Sequence, residues 1–214
     1  MVKSKSITRQ DRQFIGVLLN KNHNLPLPGR RIAVVGTSGS GKTWLAAELG
    51  KRLNLPHIEL DALHWQPDWR MCPLDDFRQL VAEALNQSGW VIDGNYAKVR
   101  DIIWGQADTL VWLDYPLVIP LWRVLKRTLG RIIRKDVLWG NNRESLKTFF
   151  FEKDSLLLWV FTSHPKHRRD YPQLLGTPEY NHLISIRLRS PRQLRGWLAQ
   201  IQTAQEPSTQ QMDR

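Results

Sequence analysis

The chain alternates between short apolar runs of strand length and longer stretches with apolar residues at every third or fourth position. RIAVVGT (31–37), HIEL (57–60), WVIDG (90–94), TLVWLDY (109–115) and HLISIRL (182–188) are rich in β-branched or aromatic residues, and each reads as a strand. WLAAELGKRL, just after Thr43, and LDDFRQLVAEALNQ (74–87) carry the helical period. The second places Asp75 and Asp76 in its first turn, where acids favour the helix dipole. SPRQLRGWLAQI (190–201) opens with Ser190 as an N-cap and Pro191 at the first helical position. Strand–helix alternation of this kind predicts an α/β fold, with a parallel sheet of five strands covered by helices on both faces.

Residues 116–175 hold no strand pattern and read as a helical region inserted between the last two strands. Residues 1–28 form a basic, polar extension, with a short helix compatible with residues 8–20 and a break at NLPLPG. Residues 203–214 are low in bulky apolars and read as a flexible tail. A single domain over 29–202 suits a chain of 214 residues with 42% apolar content. Cys72 is the lone cysteine, which excludes an internal disulfide framework and a four-cysteine zinc site. No apolar run approaches the roughly eighteen residues of a membrane span. The N-terminal MVKSKSITRQDRQF lacks the apolar stretch of a signal peptide. The expectation is a soluble, cytoplasmic protein without a membrane partner.

Chemistry enters at GTSGSGKT (36–43), between the first strand and the first helix. The spacing G-x-x-x-x-G-K-[ST] is met by Gly36, Gly41, Lys42 and Thr43. Gly36, Ser38, Gly39, Ser40 and Gly41 let backbone N–H groups turn around phosphate oxygens. Lys42 reaches the β- and γ-phosphates, and the Thr43 hydroxyl binds Mg²⁺. The helix start directs its positive end at the same anion. ATP and Mg²⁺ are the expected ligands. An acid at a neighbouring strand end completes the metal shell in such proteins, and Asp93 and Asp114 both qualify by position.

The order of GTSGSGKT, then WVIDGNYAKVRDIIWGQADTLVWLDYP, resembles the nucleoside-monophosphate kinases. HIELDALHW, DGNY, WRVLKRTL and SLLLW more closely resemble the adenylate-kinase-related P-loop proteins labelled DNA topology modulation (FlaR-like), over roughly residues 31–200. This resemblance implies a sheet order of 2-3-1-4-5, a helical lid within 116–175 and Asp93 as the metal-shell acid, with Asp114 second. It also implies that Asp61 faces the phosphate acceptor, where a carboxylate takes up or orients a hydroxyl proton. His64 and Trp65 either line that acceptor pocket or pack as core. Adenylate kinases follow Asp-Gly with an aromatic-Pro-Arg segment. Here the chain reads Asp93-Gly94-Asn95-Tyr96, and the first nearby arginine, a candidate acceptor contact, is Arg100.

Charge adds a second theme. The chain carries 31 Lys and Arg against 20 Asp and Glu, a net charge of +11, which favours anionic partners. Arg123, Arg127, Arg131 and Arg134 share one helix face, and residues 123–147 hold eight basic and two acidic residues. In phosphoryl transfer, arginines of a closing lid stabilise charge on the moving group. Arg123 and Arg127 fall where the resemblance places such arginines, Arg143 is a further substrate contact, and Gly130 is a point of bending. The expected function is therefore a kinase that transfers the γ-phosphate of ATP to a small-molecule acceptor: a nucleoside, a nucleotide or a related hydroxyl compound. A nucleic-acid-associated ATPase is the alternative, supported by the net charge, Lys3, Lys5, Arg9, Arg12 and the KHRR cluster at 166–169 beside Tyr171. A nucleotide-binding pseudo-kinase is the third reading.

Overall fold

A computed structural model describes residues 25–134, 137 and 156–205. The extension with its helix at 8–20, the arginine at 143 and the end of the tail lie outside the described residues. The sheet has the order β2-β3-β1-β4-β5. Its strands are β1 (Arg31–Gly36), β2 (His57–Glu59), β3 (Trp90–Asp93), β4 (Thr109–Leu113) and β5 (Ile184–Leu188). Every pairing is parallel, so all the strands end at the same edge. This is the predicted architecture and the predicted order.

The helices among the described residues are α1 (Lys42–Leu53), α2 (Leu60–His64), α3 (Leu74–Ala84), α4 (Arg100–Gln106), α5 (Val118–Arg134), α6 (Leu156–Leu175) and α7 (Pro191–Gln205). Strand residues alternate between two cores. Ala33, Val35, Ile92, Leu110 and Trp112 face Phe77, Val81, Trp104 and Tyr171 on one side. Ile32, Val34, Val91, Val111 and Leu113 face Leu45, Leu49, Trp197 and Leu198 on the other. That two-residue alternation buries both faces of the sheet, which is why its strands read as unbroken apolar runs. Val124 of α5 and Val160 of α6 form a small third cluster, so these two helices pack together.

Several boundaries differ from expectation, each for a local reason. The HIEL strand ends at Glu59, because Leu60 opens α2 and turns inward to the core. The third helix stops at Ala84, three residues early, with Leu85 as a buried C-cap. The last helix runs to Gln205, into the segment read as tail. Its start is as expected: Ser190 Oγ accepts a bond from the Gln193 N–H at 3.2 Å, and Gln193 Oε1 accepts from the Arg189 N–H at 2.7 Å. The first bond is the N-cap contact that satisfies an unpaired N–H of the helix start.

Candidate active site

The phosphate loop joins β1 to α1 at the carboxyl edge of the sheet, where ligands bind in open parallel folds. Gly41 (φ 96°) and Gly39 (φ 81°) hold left-handed backbone that other residues rarely adopt. A side chain on Gly39 would collide with the Pro120 carbonyl and with Val124, so α5 packs directly on the loop. The Ser40 hydroxyl is buried and has no hydrogen-bond partner among the described residues. Ser38 is half-buried on the same turn.

Thr43 Oγ1 donates to Asp93 Oδ2 at 2.8 Å, across 50 residues of sequence. Lys42 Nζ donates to the Thr37 carbonyl at 3.5 Å. Burial lowers the Lys42 ammonium below its ordinary range, Asp93 and Asp61 oppose that shift, and Arg127 adds to it. Lys42, Asp61, Asp93 and Arg127 thus share one electrostatic neighbourhood.

Two motifs dock partner by partner along the parallel β2–β3 pair. His57 Nε2 bonds Asp93 Oδ1 at 2.8 Å. Leu60 fills the space that a Cβ on Gly94 would need, 2.7 Å from that position. Tyr96 Oη donates to Asp61 Oδ1 at 2.5 Å, and burial together with Asp61 raises the Tyr96 phenol far above its usual range. HIELD and DGNY are therefore one unit, in which His57 holds Asp93 and Tyr96 holds Asp61. Sequence reasoning missed His57, Asn95 and Tyr96. Their signal was the recurrence of polar residues at strand ends facing a common edge.

Asp114 lies just past β4 and is 3% exposed. Arg168 Nε donates to its Oδ1 at 2.6 Å, and Arg187 donates to its Oδ2 through Nε at 2.9 Å and Nη2 at 2.6 Å. Both oxygens are occupied by guanidinium groups. In the KHRR cluster two arginines are paired within the chain and one ring is buried. Arg168 holds Asp114, Arg169 pairs with Asp170 at 2.8 Å, and His167 is buried and stacked on Tyr171.

Of the arginine stripe, Arg123 reaches the loop: its Nη1 donates to the Ser40 carbonyl at 3.0 Å, and its guanidinium lies 5.6 Å from the centroid of the Tyr115 ring. Arg127 is exposed one turn further on. Arg100 stands 5.2 Å from the centroid of the Trp104 ring. It lines a small cavity with Asn95, Tyr96 and Tyr171. That space suits about one water molecule rather than an acceptor. His64 and Trp65 belong to an aromatic cluster with Phe77, Tyr96 and Trp69, which is a packing role for both.

No protein-family model matches the chain. The uncharacterized protein YqaC of Bacillus subtilis (strain 168) is 28% identical over 122 residues, which cover 56% of this chain and 68% of YqaC. Among solved structures, a gluconokinase from Sinorhizobium meliloti 1021 aligns at 20% identity and a TM-score of 0.46, over 83% of this chain and 93% of its own. A shikimate kinase from Bacteroides thetaiotaomicron aligns at 16% identity and a TM-score of 0.41, over 83% and 99%. A sugar kinase from Janibacter sp. HTCC2649 aligns at 21% identity and a TM-score of 0.42, over 83% and 92%.

Proposed function

We propose that the chain is a P-loop kinase that moves the γ-phosphate of ATP onto a hydroxyl group of a small molecule. The observation that carries this reading is the convergence of Lys42, Thr43, Asp93 and Asp61 beside a glycine-built loop at the carboxyl edge of the sheet. The cradle fits a polyphosphate: it combines left-handed glycines, a buried Ser40 hydroxyl without a partner among the described residues, and the half-buried Lys42. Thr43 and Asp93 fit Mg²⁺, which takes few protein ligands and fills its shell with phosphate oxygens and water. When bound, the metal neutralises charge on the β- and γ-phosphates.

In the transfer, the acceptor oxygen bonds to the γ-phosphorus, the bond from that phosphorus to the ADP oxygen breaks, and the acceptor proton passes to the Asp61 carboxylate. Tyr96 orients that carboxylate by its hydrogen bond. Arg123 and Arg127 stabilise charge on the moving group, and Arg143, outside the described residues, is a further substrate contact. Arg100 is the acceptor contact nearest to Asn95 and Tyr96. Among the described residues, no helix is long and apolar enough to cross a membrane. Arg168 and Arg169, which belong to the cluster behind the nucleic-acid reading, each pair with an acid of this chain.

The test is transfer from labelled ATP with Mg²⁺ to a panel of nucleosides, nucleotides and small alcohols. A kinase labels an acceptor with little phosphate release, and Lys42→Ala abolishes transfer. Phosphate release that accelerates with added DNA, in a salt-dependent way, would instead establish the ATPase.

A further inference from the structure

Asn95 sits between the two docked motifs and the phosphate loop, yet it takes part in neither the metal pair nor the acceptor pair. Its side chain turns the other way, towards β1. Asn95 Oδ1 accepts from the Gly36 N–H at 3.1 Å, and Asn95 Nδ2 donates to the Gly36 carbonyl at 2.5 Å. Both polar groups of the first residue of the phosphate loop are thus held by one side chain.

The reason lies in the sheet. Successive residues of a strand point their backbone groups to opposite sides, so Val34 and Gly36 of β1 address the same neighbour. Val34 O still receives a backbone N–H of the β3 segment, from Gly94 at 3.3 Å. At Gly94 the chain turns with φ 144°, and no backbone of the β3 segment bonds Gly36. Without a substitute, the Gly36 N–H and carbonyl would be orphaned at the point where the loop departs. An amide is the side chain that supplies one acceptor and one donor at adjacent atoms. Aspartate offers two acceptors and would face the Gly36 carbonyl oxygen without a proton to share. Glutamine places the same pair one methylene too far.

A third bond fixes the amide. Tyr171 Oη on α6 donates to Asn95 Oδ1 at 3.3 Å, which marks that atom as the acceptor. The Tyr171 ring is buried among Trp104, Trp112 and His167. We infer that Asn95 is a positioning residue of the nucleotide site: it continues the sheet by one side chain, sets the direction of the Gly36 peptide, and ties the phosphate loop to helix α6 through Tyr171. The inference rests on the loop binding a nucleotide, as proposed above. Its consequence is that the loop's N–H groups are aimed before nucleotide arrives, and that α6 contributes to the aim without touching the nucleotide.

The experiment is titration calorimetry of the full chain with ADP and Mg²⁺, comparing the parent with Asn95→Asp, Asn95→Ala and Tyr171→Phe, each also measured for its thermal midpoint. Asn95→Asp is expected to weaken binding on the order of tenfold or more, since it loses a donor and sets oxygen against oxygen. Asn95→Ala should weaken it by several-fold, and Tyr171→Phe, which keeps the ring packing, by about two- to threefold. A purely structural role lowers the midpoint and leaves the Kd of folded protein unchanged. Binding by both Asn95 variants within twofold of the parent overturns the inference. If neither Asn95 variant folds, Tyr171→Phe decides it: a weaker Kd supports the tie, and an unchanged Kd overturns it. A parent chain that binds no ADP overturns the nucleotide reading itself, a result distinct from loss in the variants alone.

Discussion

Asp93 and Asp114 close neighbouring regions of the same sheet edge, each after an apolar strand, and they are 6% and 3% exposed. Their surroundings separate them. Asp93 is held by a hydroxyl and an imidazole, Thr43 and His57, so its carboxylate is satisfied by hydrogen bonds without being matched by a guanidinium. Asp114 is clasped by two guanidinium groups, one from α6 and one from β5, and the Arg187 guanidinium also lies over the Trp112 ring at 4.2 Å. A carboxylate between two cations has little field left for a metal. One beside a hydroxyl at the end of a phosphate loop keeps its field directed at the site. Position at a strand end makes an acid a candidate, and the charge of its partners decides which role it fills.

That contrast breaks most sharply under paired substitutions. Asp93→Asn should lower Mg²⁺-dependent transfer on the order of a thousandfold while the fold persists, as measured by initial rates against Mg²⁺ concentration. If Asp93→Asn keeps its rate and Asp114→Asn loses Mg²⁺ dependence, the assignment is reversed. Asp114→Asn should instead act on stability, costing about 3 kcal/mol by denaturant unfolding, because it leaves two arginines facing a neutral amide. Arg168 is 43% exposed and recovers part of its solvation, which keeps the loss from being larger.

Acid sharpens the same comparison through His167, which adjoins Arg168 on α6. Burial, reinforced by Lys42, Arg100, His164 and Lys166, lowers the His167 imidazole from 6.5 to about 4. Between those values the unfolded chain binds a proton that the folded chain refuses, so stability falls as pH drops through that window. The contribution is about 3 kcal/mol across it. His167→Gln should therefore flatten the pH dependence of the thermal midpoint from pH 6.5 down to 4. An unchanged slope would show that the imidazole is accommodated when charged, and that the α6 clasp on Asp114 is looser than the geometry indicates.

Sequence reasoning reached the features whose information is local. The five apolar runs, the spacing of GTSGSGKT and the cap at Ser190 each lie within a few residues, and each is found within about two residues of where it was read. The arginine stripe was legible as a helix face, although spacing alone did not distinguish Arg123, which reaches Ser40, from Arg131 about two turns beyond. What stayed hidden were partnerships across the fold. Asp114 meets arginines 54 and 73 residues away, and Asn95 meets Gly36 at a separation of 59. No periodicity encodes such pairs, because they arise only once the strands are laid side by side. KHRR shows the reverse error: four polar residues in a row suggested a surface, yet the helix buries His167 and ties the half-exposed Arg168 to Asp114.

The contact between Gly39 and α5 has a mechanical consequence. The helix is seated on the loop at Pro120 and Val124, while Arg134 lies at its far end, about 20 Å along the axis. With the seat as fulcrum, a tilt of about 10° sweeps that far end through roughly 4 Å, by the same rise per residue. An alteration at Gly39 too small to disturb the loop's own path would thus be read, enlarged, at the tip of the lever.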